Sequence, residues 1–119
     1  MPKPKQSIYD LENRTKTLAI SVRSFVKLIP KSLSNNEDIK QLIRSSGSIG
    51  ANYIEANESL SKKDFILRIK ICRKEAKETI YWLELLEIYS AKSNKERDIL
   101  IDEATQLMKI FGSIITKSV

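Results

Sequence analysis

Residues 41–56 read QLIRSSGSIGANYIEA, and the fold turns on how this stretch is taken. Leu42, Ser46, Ile49, Tyr53 and Ala56 recur at alternating spacings of four and three, the signature of one face of a helix. Small residues crowd the same stretch: Ser45, Ser46, Gly47, Ser48, Gly50 and Ala51. Each glycine inside a helix costs about 1 kcal/mol relative to alanine. Close approach by a neighbouring helix, or by a partner subunit, is the expected compensation. The apolar seam runs straight through the small cluster, so the helix is kept whole, with room for a kink near Gly47–Gly50.

The same spacing appears on both sides. Upstream, Leu11, Thr15, Leu18, Val22, Phe25 and Ile29 form a seam widened by Ala19 and Val26. This predicts a first helix from about Tyr9 to Ile29, ended by Pro30, because the residue before a proline is pushed out of helical angles. Residues 31–36 form a polar connection, with Ser34 or Asn36 as the cap of helix two. That helix runs to about Glu58, with Ile39 at its start, and Leu60 would extend its seam. Ser61 with Asp64 makes a capping box for a third helix, Lys62 to about Ser90, with Phe65, Ile69, Cys72, Ala76, Thr79, Leu83 and Leu86 in its seam. Towards its end Ile80, Trp82, Leu85, Ile88 and Tyr89 spread apolar surface around the helix. Such a helix is buried on more than one side. Trp82, Leu85, Ile88 and Tyr89 are therefore candidate subunit-interface residues. Ser93-Asn94 with Glu96 starts helix four, Lys95 to about Lys117, where Leu100, Ala104, Leu107, Phe111 and Ile114 line one seam and Ile101, Met108 and Ile115 a second.

Short links between long helices favour antiparallel neighbours. The expected fold is all-α: an antiparallel up-down-up-down four-helix bundle over 9–119, preceded by a flexible N-terminal arm over 1–8. Composition agrees, since 119 residues hold only three Gly and three Pro, too few turn formers for a sheet protein. The absence of an apolar run near 18 residues argues against a membrane span, and no signal peptide is visible. A cytoplasmic protein is expected.

Chemistry is constrained by what is missing. The chain has no histidine and one cysteine. That removes Ser–His and Cys–His nucleophile arrangements, the Glu-x-x-His pattern of di-iron bundles, and disulfide or cysteine–zinc frameworks. No glycine-rich phosphate-binding motif is present. The carboxylate pairs Glu55/Glu58, Glu75/Glu78 and Glu84/Glu87 read as salt-bridge partners on helix surfaces, the alternative being an all-carboxylate metal site. Cys72 falls in a seam and reads as a small core residue rather than a reactive thiol. Neither a catalytic residue, a metal nor a cofactor is expected. Ser48, Asn52 and Glu55 share a face of helix two and read as hydrogen-bonding groups across a tight helix contact.

What stands out is charge. The net charge is +6 and the sequence pI about 9.5, which favours anionic partners. Lys62, Lys63, Arg68, Lys70, Arg73, Lys74 and Lys77 fill the first half of helix three. At about 100° per residue, Lys63, Lys70, Lys74 and Lys77 share one strip nearly opposite the seam. Cations near a helix N-terminus work against the helix dipole, a local cost that favours a functional reason over a merely solvated face. Lys63, Lys70, Arg73, Lys74, Lys77 and Arg44 are the candidate nucleic-acid-binding residues. Tyr81, Trp82 and Tyr89 read as core or interface more readily than as base-stacking platforms.

Arg44-Ser-Ser-Gly-Ser-Ile-Gly-Ala-Asn-Tyr-Ile-Glu55-Ala, Ser61-Lys-Lys-Asp-Phe65, Ala76-Lys-Glu-Thr79 and Trp82-Leu83 together resemble the bacterial four-helix bundle proteins called S23 ribosomal protein or 23S rRNA intervening-sequence protein. The resemblance covers nearly the whole chain and is most specific over Gln41–Leu86. Where many members read Ser-Ile-Pro-Ser-Asn-Ile-Ala-Glu, this chain matches at Ser48, Ile49, Asn52 and Glu55, with Gly50 in place of the proline. The resemblance implies a homopentameric ring and a protein encoded within intervening sequences of 23S rRNA genes, with no established catalytic residues. A related branch, the accessory variability proteins of diversity-generating retroelements, is basic, pentameric, and binds nucleic acid and a reverse transcriptase. The expected function is non-enzymatic: a homo-oligomer binding RNA or DNA through pooled basic surface. The alternative is an adaptor for an acidic protein.

Overall fold

The computed structural model describes the backbone from residue 8 and side chains from residue 10 onward. Four helices account for almost all of it: α1 (Ile8–Val26), α2 (Leu33–Asn57), α3 (Lys62–Leu85) and α4 (Ala91–Ser118). The arm expected over 1–8 lies outside the described residues, apart from Ile8, which opens α1. Helices consecutive in the chain pack on one another, α1 also meets α4, and the diagonal pairs stay apart. Cross-helix contacts fix the directions. On α2 and α3, Asn52 bonds Arg68 and Ser45 bonds Thr79, and Ser34 bonds Glu87 just past the end of α3, so rising numbers on one side meet falling numbers on the other. Arg73 beside Gly112 and Arg97 at the end of α3 give the same sense for α3 and α4. The architecture is the expected antiparallel four-helix bundle.

The four seams meet inside. Leu18, Val22, Leu42, Ile49, Ile69, Leu83, Leu107 and Phe111 are essentially inaccessible. Phe111 meets Tyr53 across the interior, ring centroids 5.9 Å apart. Thr15, Ser45, Ser46 and Thr79 keep the seam at polar positions because each hydroxyl donates to a carbonyl three or four residues back in its own helix. Cys72 lies among them, donating to the Ile49 carbonyl at 3.5 Å, and burial pushes its thiol pKa up to about 12.

The small cluster of α2 finds its compensation in α1. A Cβ on Gly50 would stand 2.9 Å from Thr15 Oγ1 and 3.2 Å from Thr15 Cβ. A side chain there would hold the two helices apart. Gly47 is less demanding, since its nearest neighbour would be Arg23 Nη2 at 3.5 Å. The helix runs unbroken across both.

Helix ends depart from the sequence reading, each for a local reason. α1 stops at Val26, three residues before Ile29, because the Pro30 ring would collide with the carbonyl four residues back, that of Val26. The chain tightens into turns from Leu28 to Phe25 and from Ile29 to Val26, and Ile29 still reaches the core. α2 is capped by Ser32, which accepts from Asn35 N, not by Ser34 or Asn36. Leu60 does not extend its seam; it is almost fully exposed in the link to α3. Ser61 caps α3 through Asp64 N as expected. α3 ends at Leu85 rather than Ser90, although no glycine or proline is near. Leu86 turns extended and dives into the core. Arg97 donates to the carbonyls of Leu86 (2.7 Å) and Leu83 (3.4 Å), satisfying groups that the helix end leaves open. Buried Asn35 completes the stop: it accepts from Glu87 N and donates to the carbonyls of Glu87 and Pro30. α4 therefore starts early, at Ala91, with Ser90 as its cap.

Candidate nucleic-acid interface

The basic residues of α3 come from a run that alternates inward and outward. Ile69, Cys72 and Ala76 face the core, which turns Lys70, Lys74 and Lys77 to the surface. Arg73 is half-buried, its stem lying along α4 beside Gly112. The antiparallel register of α3 and α4 brings Lys109 level with the Lys74–Lys77 turn. Lys70, Arg73, Lys74, Lys77 and Lys109 line one shallow depression, with Met108 at its floor. Sequence reading missed Lys109. It stands in α4 next to Met108 of the second seam, but only the pairing of the two helices joins it to the strip.

Lys63 lies further along α3, in an apolar groove with Lys62, Asp64, Ile66 and Leu67. Lys70 belongs to both depressions, so the cations form one continuous face about 21 Å long from Lys63 to Lys77 at 1.5 Å per residue. Among the described residues, none of Lys63, Lys70, Arg73, Lys74, Lys77 and Lys109 is ion-paired. Their charge is not spent internally.

Arg44 is not part of this face. It reaches from α2 to α3, with Nη1 3.5 Å from Glu75 Oε1 and Nη2 3.1 Å from Glu78 Oε1. Glu75 is a nearly buried carboxylate, and its Oε1 has no hydrogen bond beyond this ion pair. The pairing offsets one of the two negative charges that Glu75 and Glu78 place on the helix carrying the basic strip. Arg44 thus supports the field of the face without joining it. Arg68 is likewise engaged, donating to Asn52 Oδ1 at 3.1 Å, while Asn52 donates to Ser48 O in its own helix. Of the expected Ser48–Asn52–Glu55 face, Asn52 bonds across the α2–α3 contact, Ser48 bonds within α2 to the Arg44 carbonyl, and Glu55 is exposed.

The candidate interface residues are divided by the early end of α3. Trp82 is half-buried and packs on the core. Leu85 is the last helical residue and is exposed. Ile88 and Tyr89 lie in the link, Ile88 against the core and Tyr89 79% exposed. The expected all-round apolar helix end is therefore a helix stop followed by a link that buries Leu86 and leaves Glu87 and Tyr89 exposed. Exposed apolar residues occur elsewhere too: Ile20, Leu28 and Ile99 border an open groove between α1 and α4.

No helix among the described residues is long and apolar enough to cross a membrane. No curated protein matches the chain. A solved structure does: a crystal structure of a protein of unknown function from the S23 ribosomal protein family of Bacteroides thetaiotaomicron. It superposes with a TM-score of 0.74 at 31% sequence identity, covering 88% of this chain and 97% of that one. Residues 9–113 match the 23S rRNA-intervening sequence protein family, so the match spans all four helices. Fold, motif and match agree, and the chain belongs to the 23S rRNA-intervening sequence protein family.

Proposed function

We propose that this protein is a non-enzymatic, oligomeric nucleic-acid-binding bundle that grips the sugar-phosphate backbone with the α3–α4 basic face. The observation that carries the reading is the convergence of Lys70, Arg73, Lys74 and Lys77 from α3 with Lys109 from α4, all without an ion pair among the described residues. Unpaired cations held on rigid helices can neutralise phosphates and release the counterions condensed on the nucleic acid, and this release drives binding. Five charges on one subunit give weak affinity. Several copies in one ring would multiply it by avidity, and the exposed apolar groove between α1 and α4 and the Leu85–Tyr89 end offer surface for such assembly. The family's description, which refers to an intervening sequence of 23S rRNA, is in keeping with a nucleic-acid partner.

The test is a mobility-shift titration of purified protein against structured RNA and against DNA at low and moderate salt. Binding at low salt that weakens steeply with added salt is the expected result. Absence of binding to both at low salt overturns the reading and favours an acidic protein, or a reverse transcriptase, as the partner of the same face.

A further inference from the structure

The outward strip of α3 does not end at Lys77. Tyr81 continues it: eleven residues past Lys70 and seven past Lys74, it falls within about 20° of both around the helix, and it stands about 6 Å beyond Lys77 along the axis. Tyr81 is 54% exposed and stands four residues before the end of α3. It is also braced. Trp82 meets it edge-on, with ring centroids 5.0 Å apart and planes at 71°. Trp82 itself packs against the core. The tyrosine therefore has one ring contact on its inner side and much of its surface uncovered, at the end of a rail of lysines that have no ion pair among the described residues. Of the acids one turn away on α3, Glu78 pairs with Arg44, which Glu75 shares, whereas Glu84 is exposed and ends the positive field.

We infer that Tyr81 is a base-stacking platform, and that the face takes single-stranded nucleic acid, with phosphates along Lys70, Lys74 and Lys77 and one unpaired base laid on the Tyr81 ring. The inference rests on the proposed nucleic-acid reading and names its substrate class. A duplex keeps its bases stacked on one another and offers the ring nothing beyond its backbone, whereas a single strand presents a free π-face to any exposed aromatic. The Glu84 carboxylate repels a phosphate path beyond Tyr81, so the strand turns away where the base is held.

The test uses fluorescence anisotropy of the full chain with a labelled dodecamer of uridine or thymidine and with a 12-base-pair duplex, at low salt. Tyr81→Ala should weaken single-strand binding about tenfold and leave duplex binding unchanged, while Tyr81→Phe, which keeps the ring, should restore the wild-type value. Because Trp82 is the only tryptophan, single-strand binding should also quench its emission, and the quench should vanish in Lys70→Gln/Lys74→Gln/Lys77→Gln. Circular dichroism of Tyr81→Ala should match wild type, as expected for an exposed position. Unchanged single-strand affinity in Tyr81→Ala, with the lysine variant still impaired, overturns stacking and leaves the backbone reading standing. Failure of wild type to bind either nucleic acid overturns both. A change in sedimentation coefficient of Tyr81→Ala with unaltered oligonucleotide affinity makes Tyr81 a subunit contact and also overturns the inference.

Discussion

Gly47 and Gly50 sit one turn apart in α2 and meet different surroundings. Replacing Gly47 by alanine adds a methyl at ordinary contact distance from a flexible arginine tip. Helix propensity then dominates, and Gly47→Ala should stabilise the fold by up to about 1 kcal/mol. At Gly50 the methyl meets the Thr15 side chain, whose hydroxyl is fixed by a 2.8 Å bond to the Leu11 carbonyl. Overpacking costs about 1–3 kcal/mol, more than propensity returns, so Gly50→Ala should lower stability. Chemical denaturation of the two variants checks the opposite signs. Cys72 gives a second test at this scale. Its folded pKa is raised from an ordinary 9.0 to about 12 because burial disfavours the thiolate. The thiol should resist an aromatic disulfide reagent at pH 8 until the protein is unfolded. The sign for stability follows: the Cys72 contribution is fully present below about pH 9 and is lost as pH rises from there towards 12.

At the scale of elements, the bundle's lower turn is tied by two side chains. Asn35 links the α1–α2 and α3–α4 connections with three hydrogen bonds, and Arg97 closes the end of α3. Asn35→Ala leaves the partly buried Glu87 amide and two carbonyls without these partners, so it should cost about 1–3 kcal/mol in the denaturation midpoint analysis. It should also speed amide exchange at Glu87 before the rest of the core. These ties explain what the sequence does and does not reveal. Seams such as Leu11–Ile29 and Phe65–Leu86 are legible because a four-and-three period survives any choice of helix ends. The stop at Leu85 is not legible: Leu86-Glu87-Ile88-Tyr89 would continue a helix on propensity alone, and the groups that end it come from residues about fifty positions upstream and eleven downstream. The start of α2 is obscured differently, since Ser32, Ser34 and Asn36 are all good caps. The basic strip follows the same division. Four lysines on one helix share a face by arithmetic, but Lys109 joins them, and Arg44 leaves them for Glu75 and Glu78, only through the register between helices.

For the whole molecule, the arrangement separates two jobs. The small-residue helix α2 lies against α1 and α3 and builds the fold, while the outward side of α3, with Lys109 of α4, carries uncompensated charge. In a bundle 44 Å long, that face of about 21 Å is a sizeable part of the surface. If phosphate contact is its role, affinity must depend on salt in proportion to the cations engaged. The most direct measurement is therefore the slope of log K against log salt for one duplex, wild type beside Lys70→Gln/Lys74→Gln/Lys77→Gln. With about 0.9 of a unit per phosphate contact on DNA, removing three lysines should flatten the slope by roughly 2.7 for each bound subunit that engages all three. A slope identical in the two proteins would contradict the account, because it would place the phosphates somewhere other than this face.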